Sequence, residues 1–187
     1  MPQLPPLALV LAAGFARRFG ADKRVALMPD GRTVLDTVLA RIADAGIAAL
    51  PVLRRGDEAL WPRYSTALTV ADEVALAGMG SSLAAALKLV PAGRDVMVCL
   101  ADMPYVQSST YAALARAAAI DSIVCPAYQA RRGNPVLFGA DFIGELKKIS
   151  GDRGAKSLLE RHADRVIDVA VDDPGIHRDI DTPHDVT

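Results

Sequence analysis

The stretch GFARRFGADKR, residues 14–24, sets Arg17, Arg18, Lys23 and Arg24 against one acid, Asp22, and follows directly on the apolar run LALVLAA. Gly14 and Gly20 let a ligand come close to the backbone, and amides beside cationic side chains are the donors that share the oxygens of a polyphosphate. A solvated basic turn is the alternative. Neither common phosphate loop fits: a GxGxxG fingerprint needs glycine at 16, where Ala16 stands, and a GxxxxGK[ST] loop needs lysine after Gly20, where Ala21 and Asp22 stand.

The segment LADMP, residues 100–104, places Asp102 at the end of another apolar run. A carboxylate there is costly to desolvate unless a cation pairs with it, and magnesium held by phosphates is one such partner; capping of the next turn is the other use. The tail VDDPGIHRDIDTPHDV is rich in Asp and holds His177 and His184, but at spacings that do not favour a preformed transition-metal site. Asp181, followed by Thr182 and Pro183, reads as a loop entering a helix, and can complete a magnesium site begun by Asp102. In GMGSSL, Gly78, Gly80, Ser81 and Ser82 offer donors to a base or ribose as well as ordinary helix capping. RRGNPVLF puts Arg131 and Arg132 before a rigid turn at Gly133 and Asn134.

The elements that must position these groups alternate. Apolar runs at 7–13, 95–101 and 122–127 read as buried strands; 47–53 is a strand weakened by Pro51, and 134–138 and 165–171 are further strands. A helix starts at the Thr33 cap, with Asp36 three residues on, and stops at Gly46. Helices also follow GMGSSL, span 108–119, and occupy 140–150 and 154–163, while the polar stretch through Trp61 has no clear assignment. Strands alternating with helices predict an α/β sandwich with a mostly parallel sheet, in which ligands bind beyond the carboxyl ends of the strands.

The chain has 187 residues, 51% of them hydrophobic, which fits one domain over residues 1–187. Its 21 basic residues nearly cancel 22 acidic ones, so a general nucleic-acid surface is not expected. Cys99 and Cys125 lie in apolar runs and read as buried thiols rather than a disulfide or metal ligands. The opening residues lack the basic start of a secretory signal, and their apolar run is too short to span a bilayer, so a cytoplasmic protein without membrane contact is expected.

VLAAGFARRFGADK resembles the signature LAAGxGxRMGxxK of nucleotidyltransferases, with Gly14, Arg18, Gly20 and Lys23 in register. With GMGSSL, LADMP, RRGNPVLF, GDRGAKSLL and DIDTP it is similar to the molybdenum-cofactor branch, the molybdopterin cytidylyl- and guanylyltransferases, over residues 7–186. The resemblance implies a Rossmann-like nucleotidyltransferase fold that moves a nucleoside monophosphate from CTP or GTP to a molybdopterin-type acceptor, with Mg2+ and release of pyrophosphate. A molybdoenzyme would receive the product. Arg18, Lys23 and Asp102 would act on the reacting phosphates, with Asp102 and Asp181 as metal ligands. Leu11, Ala12, Ala13 and Gly14 would line the nucleotide, together with Gly78, Gly80, Ser81 and Ser82. Arg131, Arg132, Gly133, Asn134, Arg153 and Lys156 are the candidates for the acceptor.

The form LAAG goes more often with cytidylyl transfer and LAGG with guanylyl transfer, so Ala13 favours CTP. Four positions depart from the pattern: Ala16 removes a phosphate donor, Phe19 replaces methionine, Asn134 stands where histidine is common, and Lys156 replaces arginine without its planar fork. A sugar or polyol phosphate acceptor, and a nucleotide- or pterin-binding partner protein without turnover, are the competing readings. The chemistry requires Lys23, Asp102 and Asp181 to meet in space.

Overall fold

Apolar strands buried on both faces form the centre of the molecule, whose computed structural model describes residues 4–15, 19–151 and 155–186. β1 (Leu7–Leu11) lies between β2 (Ala48–Arg54) and β4 (Val96–Leu100) and is parallel to both, with Leu9 opposite Leu50 and Val98. β3 (Leu68–Val70) extends the parallel ladder beyond β2. On the other side β7 (Val136–Phe138) runs antiparallel to β4 and to β5 (Ile123–Tyr128). β5 pairs with β6 (Arg131–Arg132) in a hairpin and with β8 (Val166–Ala170) in parallel, completing eight strands. Four of the strand pairings are parallel and three antiparallel.

Pro51 sits inside β2 without breaking it. Val52 turns its carbonyl toward β1, where it accepts from Ala12 N at 3.0 Å, so the neighbouring Pro51 faces the β3 side. Pairing there begins only at Val52 opposite Leu68, and the missing N–H leaves no gap in the ladder.

Alternate residues of the central strands feed two apolar layers. Ala8, Val10, Met97 and Cys99 pack with Leu35, Val38 and Ile42 of α1 (Val34–Asp44) and with Tyr111 and Leu114 of α4 (Ser108–Arg116). Leu7, Leu9, Val96 and Val98 pack with Leu83 and Leu87 of α3 (Met79–Leu87), Leu146 of α5 (Ile143–Leu146) and Leu158 of α6 (Lys156–Arg161). Thr33 caps α1 by accepting from Asp36 N at 3.2 Å, and Gly46 ends it at a φ of 74°, as the sequence predicts. The helix expected over 140–150 is shorter. A tight turn at Ala140–Phe142 leads into α5, which ends at Leu146; Gly144 at its centre is a poor helix former. The unassigned stretch before Gly78 holds β3 and the short helix α2 (Asp72–Leu76).

Cys99 and Cys125 belong to opposite apolar layers. Burial pushes the Cys125 thiol up to about 11 and the Cys99 thiol higher still, so both stay protonated and inert at neutral pH.

The tail returns across the top of α4. Asp173, 2% exposed, accepts from Gln107 N at 2.8 Å, Thr110 Oγ1 at 2.6 Å and Gly175 N at 2.9 Å, so its charge is buried but fully bonded. Gly175 lies against the Tyr105 carbonyl with no room for a Cβ. Gly175→Ala is therefore expected to lower stability by about 1–3 kcal/mol in thermal denaturation. Gly144→Ala, whose Cβ would meet nothing within 4 Å, is expected to leave the melting temperature unchanged or raise it.

Candidate active site

Three segments far apart in sequence close over the carboxyl ends of β1 and β4. Lys23 opens a short turn, Lys23–Val25, whose cap is Asp22. Its ammonium donates to Asp102 Oδ2 at 2.6 Å and to the Ile180 carbonyl at 2.9 Å, and Asp181 Oδ1 stands 3.9 Å away. Ile180 N in turn donates to the Asp102 carbonyl at 2.8 Å. Backbone and side-chain bonds thus hold the loop after β4 and the tail against each other, with the lysine between their carboxylates.

A second cation fixes the loop that carries Lys23. Arg24 is 7% exposed and has left the solvent-facing cluster in which its sequence neighbours suggest it belongs. It makes a two-point bond to Asp57, at 2.6 and 2.8 Å, and a second fork to Asp22, at 2.8 and 2.7 Å. Its Nη1 also donates to the Ala12 carbonyl at 2.8 Å, tying the loop to the strand end. Arg54 completes the network on Asp57 and lies 4.2 Å from the centroid of the Phe15 ring. Burial alone would raise the Asp57 carboxyl, but the bonds from Arg24 and Arg54 outweigh it and lower it from 3.8 to about 2. Burial disfavours the charge on Arg24 too, yet Asp57 and Asp22 push its pKa above the usual arginine range.

These loops wall a cavity of about 540 Å³. Leu11, Ala12, Ala13, Gly14, Gly78, Ser82, Lys23, Asp102 and Asp181 line it. One side is charged; the other is apolar and includes Phe15, Leu76 and Met79, all partly exposed. Gly78 takes a φ of 114°, a conformation that admits few other residues, and turns the chain into α3 at the cavity edge.

Other predicted residues serve elsewhere. Gly80 N donates to the Gly151 carbonyl at 2.9 Å and Ser81 Oγ accepts from Gly151 N at 3.1 Å, so both dock the segment before α6 rather than line the cavity. Arg132 forms a two-point pair with Asp168 on β8, at 2.6 and 3.0 Å. Gly133 packs on the Ile176 backbone, and Asn134 N donates to the Ile176 carbonyl at 3.0 Å. Arg131 and Lys156 are exposed and outside the cavity wall. Arg18 and Arg153 lie outside the described residues. No group of three or more His, Cys, Asp or Glu that could hold a metal occurs among the described residues, so the His and Asp of the tail form no such cluster. No helix among them is long and apolar enough to cross a membrane.

The sequence did not reveal Asp57, which acts from 33 residues beyond Arg24, or the apolar wall, where Leu76 ends the unassigned α2 and Met79 opens α3. Asp22, two residues before Arg24, was the one legible sign that this arginine has a local partner.

A mixed α/β sheet with a cationic loop after its first strand, and two carboxylates gathered at the strand ends, is the layout of a nucleotide-handling domain. Residues 8–166 match the MobA-like NTP transferase domain, and the chain belongs to that family. The molybdenum cofactor guanylyltransferase of Rhodopseudomonas palustris (strain HaA2) is 33% identical over 144 residues. The match covers 73% of this chain and spans 65% of the length of that relative. The crystal structure of Rv0371c from Mycobacterium tuberculosis H37Rv superposes with a TM-score of 0.84 at 26% identity, covering 97% of this chain and 96% of that one. A complex of Rv0371c with manganese superposes with a TM-score of 0.79, also at 26% identity and with the same coverage.

The Asp57 network has a defined acid signature. A carboxyl held below its unfolded value stabilises the fold above pH 3.8, and that contribution disappears as pH falls through about 2. A shift of nearly two units corresponds to about 2 kcal/mol. Asp57→Asn should lower stability at pH 7 by about 2–4 kcal/mol in denaturant titrations, and its deficit relative to the unsubstituted chain should shrink as pH falls from 3.8 toward 2.

Proposed function

We propose that this protein transfers a nucleoside monophosphate from a nucleoside triphosphate to a phosphorylated acceptor of the molybdopterin type, releasing pyrophosphate. The observation that carries the proposal is the meeting of Lys23, Asp102 and Asp181 at the charged side of the cavity. Family membership and the relative named as a molybdenum cofactor guanylyltransferase support the acceptor class.

A phosphate oxygen of the acceptor attacks the α-phosphorus; the bond from that phosphorus to the bridging oxygen breaks, and pyrophosphate departs with the electron pair. The acceptor is already an anion and needs no strong base. What it needs is positioning against a second anion, and cations where charge gathers on the leaving group. Lys23 supplies such a cation, and the resemblance to the nucleotidyltransferase signature gives Arg18 the same task. The backbone of residues 11–14 and the turn at Gly78 hold the nucleoside against the apolar wall.

Asp102 and Asp181 suit a divalent cation. Both carboxylates face the Lys23 ammonium, and two carboxylates that leave further positions to phosphate oxygens are the donor set that magnesium accepts. The manganese complex of Rv0371c is consistent with hard oxygen donors on this fold. When bound, such an ion neutralises phosphate charge and lowers the repulsion between the two reacting anions.

CTP is favoured over GTP on account of Ala13. This residue lines the cavity and packs with Val52, Ala75 and Leu83, so its methyl helps to set the wall behind the base. The named activity of the Rhodopseudomonas relative points to guanine, which makes the base the first property to test.

Pyrophosphate release with molybdopterin cofactor and each triphosphate tests the reaction. CTP should exceed GTP at least about tenfold in kcat/KM, and Ala13→Gly should narrow that ratio. Asp102→Asn should lower kcat by about 100-fold or more while its melting temperature stays close to that of the unsubstituted chain. Full turnover in Asp102→Asn would remove this carboxylate from the reaction, and equal use of both triphosphates would remove the cytidine preference.

A further inference from the structure

Lys23 has two sets of partners that compete for its charge. The transfer reaction gives its ammonium to the triphosphate, whereas in the chain alone it bonds to Asp102, with Asp181 close by, on the very carboxylates suited to the metal. We propose that Lys23 is the resident counter-ion of these two acids, that it obstructs divalent metal binding, and that nucleotide opens the metal site by drawing the lysine away. This rests on the nucleotidyl-transfer reading above and adds an order to it: the metal binds tightly only together with nucleotide.

The distances set up the competition. Magnesium stands about 2.0–2.1 Å from a carboxylate oxygen. An ion that close to Asp102 Oδ2 meets an ammonium already 2.6 Å from the same oxygen, and two cations repel more strongly where water is scarce. Water is scarce here: the side chains of Lys23 and Asp102 are 20% and 25% exposed, against 51% for Asp181. The obstruction therefore acts chiefly at Asp102.

The surroundings allow the lysine to leave without dismantling the site. Asp102 and Ile180 are joined by a backbone bond at 2.8 Å that does not involve Lys23. The next residue, Arg24, is anchored by Asp22, Asp57 and the Ala12 carbonyl, so the loop keeps its place while the lysine side chain swings on its four-carbon stem. The cavity that Lys23 lines is where a triphosphate would offer it replacement oxygens. The exchange moves one cation from carboxylate to phosphate and admits another in its place; the hydrogen bonds from Lys23 to Asp102 and the Ile180 carbonyl give way to bonds with phosphate, and no covalent bond changes.

The test is a pair of binding measurements whose signs oppose each other. Mn2+ binding to the full chain without nucleotide is followed by the electron paramagnetic resonance of the free ion. Binding of α,β-methylene-CTP without metal is followed by calorimetry. Lys23→Gln, which keeps a donor for the Ile180 carbonyl but carries no charge, should bind Mn2+ about tenfold more tightly than the unsubstituted chain and the nucleotide analogue about tenfold more weakly. Lys23→Met should change both in the same directions. Equal or weaker Mn2+ binding in the two variants, with the metal still dependent on Asp102, overturns the counter-ion role and leaves the transfer reaction standing. If Asp102→Asn added to Lys23→Gln binds Mn2+ as Lys23→Gln alone does, the metal lies elsewhere and both proposals fall. A damaged loop would weaken both ligands together, an outcome that also counts against the proposal.

Discussion

A buried guanidinium governs the geometry of this protein's functional end. Arg24 bonds two carboxylates and the carbonyl at the end of the central strand, and in doing so ties the turn at residues 22–25 to that strand. The interaction is favourable only as a set. Either acid alone would leave part of a dehydrated fork unsatisfied, and the arginine alone would be a bare charge under the cavity floor. Because the set is complete, the residue before it is aimed from a rigid base, and its long side chain is the movable part.

The two cations thus divide the loop's work by burial. Arg24 is enclosed and spent on structure; Lys23 is more exposed, lines the cavity and touches Asp102 and Asp181. The sequence shows four cations in one loop and offers no means of ranking them. Asp22 hints at a local partner for Arg24, but Asp57 arrives from the far end of β2, through a turn that carries no strong sequence signal.

Much of the frame was legible because it follows from periodicity and caps. The runs at β1 and β4 are apolar without alternation, as strands covered on both faces must be, and α1 announces both its ends through Thr33 and Gly46. That Lys23, Asp102 and Asp181 meet was legible because Lys23 and Asp102 stand in loops that follow apolar strands and Asp181 stands in a loop before a proline-led turn. What stayed hidden was the use of groups whose partners are distant. Arg132 looks like an anion ligand in its own segment but finds Asp168 across the sheet, and Ser81 looks like a nucleotide donor but holds Gly151. Side-chain type states what a residue can bind; only the fold says what is near enough.

The site is also the least local part of the molecule. Lys23 and the Ile180 carbonyl that receives its hydrogen bond are 157 positions apart, whereas the eighth strand ends at Ala170. A ribosome that has released the first 170 residues has delivered every strand of the sheet and none of the tail's acid. The meeting of Lys23 with Asp181 therefore comes after the strands during synthesis, and Ile176 and Ile180 close their parts of the core in the same late step.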